Sequence, residues 1–333
     1  VTGVVYGVPY IPPGPPPDLW PGVTMEWHGT DGTVWSLHGP RQSGIRMQAG
    51  VRGMGVTPGE HTVDQTAGTE GGQWQGFRAG VREVFWPLWV WHDDGSQAWL
   101  DYDAAFWASL DPDATGLWVI TQPGGRTRSL RCRFVSDGDP SWDAMPGRRG
   151  WAPYGVTLQA EDPYWLGSPV VRTFEQAAAS PPPFIPEGGG PPFEIAEAVL
   201  SFDTATITNP GQVPAWPQWW IGACTAGQYG TADGVIDVPF EIETGRMLVV
   251  DTHPTVRTAV EIDTFDSTVD DDAARVQWVA DRVPSGTDRT IELGASTTFQ
   301  PVPKGGSVPL TINVTDPAGD VHVRLEPRYR RAW

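Results

Sequence analysis

The chain has 333 residues, 40 of them Gly and 34 Pro, and a net charge of −18 from 22 basic and 40 acidic side chains. That much Gly and Pro excludes an architecture of long helices, since both residues weaken helix interiors and punctuate turns. The acidity is shared, −9 on either side of residue 195, which argues against binding duplex nucleic acid by phosphate neutralisation.

Read in chain order, the start VTGVVYGVPYIPPGPPP lacks a basic region followed by an apolar run, so no secretion signal is expected. Residues 1–22 are read as a Pro-rich arm, extended and polyproline-like over residues 9–17. Met25 to Leu37 predicts a β-hairpin with Thr30-Asp31-Gly32 at the turn and Trp27, Val34 and Leu37 as its apolar content. Gly-rich loops are expected from there through Gly72. Gly76 to Trp91 reads as two strand segments interrupted by Pro87, and Asp101 to Pro112 as a short helix ending before the proline. Leu117 to Thr121 and Ser129 to Ser136 return to strands, the second with Leu130, Cys132 and Phe134 on one face and Arg131 and Arg133 on the other.

The segment VTLQAEDPYWLG, Val156 to Gly167, alternates with period two: Val156, Leu158 and Ala160 face one way, Thr157 and Gln159 the other. It runs into the turn Asp162-Pro163-Tyr164-Trp165, and soon after comes AAASPPPFIPEGGGPP, residues 177–192. The composition therefore divides the chain into a β-rich domain at 23–176, a Pro/Gly-rich linker at 177–195 and a β domain at 196–333. In the last, Val235 to Ile242 and Val308 to Val314 are amphipathic strands, and Arg246 to Asp251, Val256 to Ile262 and Asp320 to Leu325 look similar. Several short strands between Gly, Asp and Pro turns predict a β-sandwich. Ala273 to Val283 is the helix of this half, with Asp270 to Asp272 suited to its positive N-terminus.

Thirteen of the 18 Trp residues precede residue 176. Two readings stand: a Trp-rich core, or burial of several in a subunit interface, where Trp is enriched. Trp216-Pro217-Gln218-Trp219-Trp220 invites a third, stacking on sugar rings, although alternation places Trp219 opposite Trp216, Gln218 and Trp220.

No catalytic constellation holds together: there is no nucleophile elbow, phosphate-binding loop, HExxH or paired CxxC. His92-Asp93-Asp94-Gly95 and Asp270 to Asp272 lack calcium-loop spacing and read as a solvated turn and a helix cap. Glu161 and Asp162 are adjacent on a strand and point to opposite faces, which does not suit an acid/base pair. Asp162, preceding Pro163, is expected to bond nearby backbone amides. Cys132 and Cys224 read as buried thiols and Lys304 is the single lysine. No catalytic, cofactor-binding or metal residue is assigned, and no cofactor. No stretch approaches the roughly 20 apolar residues that span a bilayer, so no membrane insertion is expected.

Several segments together resemble the distal tail protein family of long-tailed, non-contractile bacteriophages, in particular the minor tail proteins of phages of actinobacteria. They are Gly29 to Pro40, Phe77 to Val90, Phe106 to Phe134, Leu158 to Ser168, Ile207 to Ala223, Gly245 to Pro254, Phe299 to Ile312 and Pro327 to Trp333. The arm and the linker are not core features of that pattern. The resemblance implies a mainly β protein with an N-terminal ring-forming domain and a C-terminal galectin-like β-sandwich. It implies no enzyme activity, but a ring, commonly a hexamer, at the distal end of the virion tail. There the ring joins the tail tube protein to the tail-tip hub and receptor-binding apparatus and meets the tape measure protein. DNA is then only passing cargo, and a six-fold ring of such acidic copies is expected to repel it. The rival readings are a carbohydrate-binding module or adhesin that attaches to host cell-wall sugars, and a polysaccharide-degrading enzyme, for which no carboxylate pair looks suitable.

Overall fold

A computed structural model describes residues 22–39, 44–68, 70–142, 144–174, 199–201, 205–231, 233–266 and 268–333. The arm predicted at residues 9–17 and the linker at 177–195 lie outside them. The fold is mainly β, as the Gly and Pro content requires.

The first half comprises β1 (Thr24–His28), β2 (Val34–His38), β3 (Ile45–Met47), β4 (Gly59–Asp64), β5 (Gln73–Ala79), β6 (Arg82–Trp91), α1 (Ser96–Ala108), β7 (Gly116–Thr121), β8 (Thr127–Ser136), α2 (Pro146–Arg149), β9 (Trp151–Ala160), β10 (Trp165–Gly167) and β11 (Val170–Phe174). An antiparallel sheet runs in the order β2-β1-β7-β8-β9-β6-β3, with β10 attached to β8. Alternation puts Trp27, Val84, Trp86, Leu88, Val90, Trp118, Leu130, Val156 and Leu158 into one core. There Trp27, Trp86, Trp118 and Trp165 form a chain of tilted and edge-to-face rings with centroids 5.3, 5.4 and 5.1 Å apart. Such geometry adds to plain area burial. The core reading thus holds for these four. Helix α1 closes the same face with Trp99 and Phe106 buried.

Three local expectations are corrected. Helix α1 begins at Ser96, because the His92–Gly95 turn, with Gly95 at φ 103°, supplies the break ahead of a run free of Gly and Pro. Strand β6 runs unbroken through Pro87. The Pro87 carbonyl accepts from the Gln48 amide at 2.7 Å, so the proline nitrogen also faces the β3 side, where pairing ends at Met47↔Leu88. The ladder to β9 loses no donor. The region expected to be loop up to Gly72 holds β3 and β4, and β4 pairs with β5 across a turn in which Gly68 and Gly71 take φ 93° and 87°.

The second half comprises β12 (Val199–Ser201), β13 (Thr206–Thr208), β14 (Pro217–Ile221), β15 (Ala226–Thr231), β16 (Gly234–Val238), β17 (Arg246–Asp251), β18 (Thr258–Asp263), α3 (Asp272–Arg282), β19 (Thr287–Asp288), β20 (Ser307–Thr315), β21 (Val321–Leu325) and β22 (Arg328–Tyr329). One sheet runs β11-β21-β14-β17-β18-β19. The other runs β12-β20-β15-β16, with β13 also on β20. Trp219, Ile221, Leu248, Val250, Val323 and Leu325 of the first pack against Tyr229, Ile236, Val238, Leu310, Ile312 and Val314 of the second, which makes a sandwich. Strand β16 stops at Val238 before Pro239, and Ile242 returns only as an isolated bridge to Cys224. Helix α3 covers the outer face of the first sheet, its Val279 packed with Trp220, Met247, Val249 and Ile262. That is why β17 is apolar on both faces. The Asp271 side chain accepts from the Ala274 amide at 2.7 Å and caps α3.

Two strands cross between the halves. Strand β11, which precedes the linker, pairs with β21 of the sandwich. Strand β22, from the last residues, pairs with β10 of the first sheet.

Candidate assembly surface and the junction beside it

The return of the chain's last residues to the first sheet is fixed by two arginines. Arg82, at the start of β6, is 2% exposed. Its Nε donates to the Pro163 carbonyl at 2.7 Å, Nη1 to those of Gly53 and Gly55 at 2.6 and 2.9 Å, and Nη2 to that of Arg330 at 3.0 Å and to Thr57 Oγ1 at 3.2 Å. A buried cation survives when its planar fork of donors is filled, and here carbonyls and one hydroxyl fill it. Arg128 donates to the Arg331 carbonyl at 2.6 Å and lies over the Tyr329 ring at 3.9 Å. Ala332 is fully buried and its amide donates to the Met54 carbonyl at 3.2 Å. Nothing local in Pro327 to Trp333 announces this docking.

The turn after β9 sits in the same place. Asp162 Oδ1 accepts from the Tyr164 amide at 3.3 Å, the turn-fixing bond expected, and also from Arg328 Nη2 at 2.6 Å. Glu161 instead accepts from Arg133 Nε at 2.9 Å. The two carboxylates thus serve different arginines. Trp165 is wholly buried against Trp118, in the core of the first sheet. Beside the turn lies a cleft of about 800 Å³ between the first sheet and the sandwich, lined by Tyr164, Trp216, Gln218, Asp251, His253 and Arg324 among others. Burial, and the Arg328 charge after it, hold the His253 pKa below its usual value.

The other sequence candidates are dispersed. Trp219 and Trp220 are 1% and 0% exposed, one in each apolar layer, so neither offers a ring face to a sugar. Trp216 remains half-buried on the cleft wall. His92 Nδ1 accepts from the Asp94 amide at 3.2 Å in an exposed turn. Cys132 and Cys224 are buried free thiols whose pKa burial raises. Among the described residues no three His, Cys, Asp or Glu side chains are grouped to hold a metal ion, and no helix is long and apolar enough to cross a membrane.

Two apolar features reach the surface, one exposed and one only partly so, and the sequence reading missed the first. The β4–β5 hairpin is solvent-exposed over nearly its whole length, with Trp74 61% exposed. Trp74 Nε1 donates to His61 Nδ1 at 3.0 Å, and the His61 ring tilts on Phe77 at 5.1 Å. A two-stranded hairpin by itself is marginal in water. The second is the outer face of β6 and β9, where Phe85, Pro87, Trp89, Trp91 and Trp151 are half-exposed. Trp89 stacks on Trp151 with centroids 4.2 Å apart and planes 17° from parallel. A Cβ added to Gly155 would meet the Phe85 ring at 3.1 Å, so the bare glycine lets Phe85 lie flat on the sheet.

A two-part antiparallel β fold, one curved sheet joined to a sandwich by crossing strands, is the class these features define. No protein-family model matches the chain, and no curated protein matches it. Among solved structures it is similar to the crystal structure of the Dit (gp 19.1) protein of phage SPP1, presented as a paradigm of the hub adsorption apparatus in phages infecting Gram-positive hosts. The TM-score is 0.54 at 14% identity, over 92% of this chain and 98% of that one. It is similar also to a chain of the phage P2 baseplate in its activated conformation with Ca (TM-score 0.52, 8% identity, 92% and 98% covered) and with Sr (0.51, 8%, 91% and 97%). At these identities the likeness is one of fold.

Proposed function

We propose that this protein is a structural component of a bacteriophage virion, forming a ring, hexameric in our reading, at the distal end of a non-contractile tail. The curved first sheet and its flanking strands serve as the ring-forming part. The sandwich serves as a galectin-like outer domain, and the chain joins the tail tube protein to the tail-tip hub and receptor-binding apparatus, in contact with the tape measure protein. The observation that carries this is the likeness to the SPP1 Dit protein over nearly the full length of both chains. The exposed hairpin and the partly exposed aromatic face on the first half fit the same reading, because a ring protomer must present two different complementary surfaces.

Images of the purified protein and of labelled virions test it. A closed ring, located at the tail end, is expected; a chain absent from the particle, or monomeric at every concentration, overturns the reading. The excess of acid supports DNA as passing cargo only. Exchanging lumen-facing carboxylates for Arg should slow genome ejection, and unchanged ejection rates would refute that role of the charge.

A further inference from the structure

We infer that the cleft between the first sheet and the sandwich is a binding site for a short neutral saccharide; the inference stands apart from the ring reading and holds for the chain in any state of assembly.

The floor of the cleft is a row of planar polar side chains. Asp251 of β17, Gln218 of β14 and Arg324 of β21 stand in register on three adjacent strands, on the face turned away from the sandwich core, and Glu326 follows two residues after Arg324. Val279 and Ala280 of α3 make one wall, and the turn at Tyr164 stands on the side of the first sheet. Bonds already made hold the row in place. Gln218 Nε2 donates to Asp251 Oδ2 at 3.2 Å, Trp220 Nε1 donates to Gln218 Oε1 at 2.9 Å, and the His253 amide donates to Asp251 Oδ1 at 2.8 Å. A carboxylate can accept about four hydrogen bonds. Asp251 accepts those two, Glu326 accepts one from Arg131 and one from Arg324, and both keep lone pairs to offer.

Charge and bonding capacity name the class of ligand. Arg131 and Arg324 pair with Glu326, and Arg328 pairs with Asp162, so an anionic ligand would have to break an ion pair to gain one. The acceptors left over call for a ligand rich in hydroxyl donors. A proline-rich peptide brings carbonyls and no amide at its prolines, which suits this floor less. A pyranose carries a rim of hydroxyls and an apolar C–H face, and the cleft has a place for each. Trp216 is braced by the His253 ring, its centroid 6.4 Å away, and Tyr164 by the Arg328 guanidinium at 4.5 Å. Rings held before contact lose little entropy on binding. Of the Trp216–Trp220 cluster only Trp216 takes part, because the sandwich core and α3 bury the other two. The volume of about 800 Å³ falls within the roughly 300–1,000 Å³ of small-molecule sites, which favour junctions between domains.

The test uses the full chain labelled with 5-fluorotryptophan, the Trp216 resonance being assigned by its loss in Trp216→Phe. Lactose, maltose, cellobiose and diacetylchitobiose are titrated in turn, beside inorganic phosphate, glucuronate and a peptide copying residues 9–17. At least one disaccharide should move the Trp216 signal saturably while that of Trp74, exposed and far along the first sheet's hairpin, stays still. Tyr164→Ala and Asp251→Asn should each weaken that binding about tenfold or more, with the other tryptophan signals and the thermal transition in place. No response to any of the four sugars up to their solubility overturns the inference, as does a response to phosphate, glucuronate or the peptide in their stead. Sugar binding that is unchanged in both folded variants overturns it too. None of these results touches the ring reading, which rests on assembly.

Discussion

The guanidinium of Arg82 donates to the main-chain carbonyl of Arg330, 248 residues further along the chain, at 3.0 Å. Through that bond and its four companions, the loop Gly53 to Thr57, the turn at Pro163 and the last residues of the chain meet on one side chain. Removing the donor leaves buried carbonyls without partners, each costing about 1–3 kcal/mol. Arg82→Ala should therefore lose at least roughly 3 kcal/mol in denaturant unfolding. Arg82→Lys should recover little, since an ammonium cannot span the same fork. A loss below about 1 kcal/mol for either variant would contradict this account of the junction.

The same geometry predicts what happens when the chain is cut after Glu326. The sandwich core, built from β14 to β21 and β11, should still melt cooperatively. The first sheet should lose stability because β10 loses its partner strand and Arg82 and Arg128 lose acceptors. Calorimetry should resolve two transitions in place of one, the lower belonging to the first sheet. A single unchanged transition would show that the docked tail contributes nothing.

Trp165→Ala should destabilise the first sheet by about 3–5 kcal/mol, the range for removing a fully buried aromatic, since the ring sits at 0% exposure against Trp118. Trp165→Phe, which keeps an aromatic ring there, should cost clearly less. Equal losses for the two would mean that ring packing is not what Trp165 supplies.

His322 carries a pH prediction. Burial first, then the Arg275 charge, lowers its pKa from 6.5 to about 4, against the smaller opposing pull of Asp320 and Asp272. The folded chain thus prefers neutral His322 and the unfolded chain takes up its proton first. The stabilisation is complete above pH 6.5 and declines as pH falls from 6.5 to about 4, by up to roughly 3 kcal/mol. His322→Asn should flatten the stability curve in that window, and an unchanged slope would exclude His322 as its source.

At the start of α3, Asp271→Ala should cost about 1 kcal/mol by removing the cap on the Ala274 amide. Amide exchange at Ala274 to Val276 should speed up, with the sandwich core unaffected.

Much of the fold was legible in the chain itself, because the signals concerned are short-ranged. The alternation of Val156, Leu158 and Ala160 and that of Leu310, Ile312 and Val314 place each strand's buried face, since a strand repeats every two residues. The acids ahead of Ala273 mark a helix start, since four amides there lack acceptors. Where the reading failed or stayed open, a distant neighbour decided. Pro87 stays within its strand because β3 ends beside it. Trp219 and Trp220 are both buried because a second sheet covers one side and α3 the other.

Composition determined that this protein is acidic, and period and turn chemistry, from sequence alone, that it is mainly β and where most of its strands lie. The ordered resemblance along the chain also pointed to the tail proteins whose fold it shares. Tertiary structure alone decided that β11 belongs to the sandwich, that Pro327 to Trp333 returns to the first sheet, and that β4 and β5 stand exposed and paired with each other. Those facts depend on which surfaces meet across hundreds of residues. The energy of such meetings is carried by buried area and filled hydrogen bonds, neither of which leaves a local pattern in the sequence.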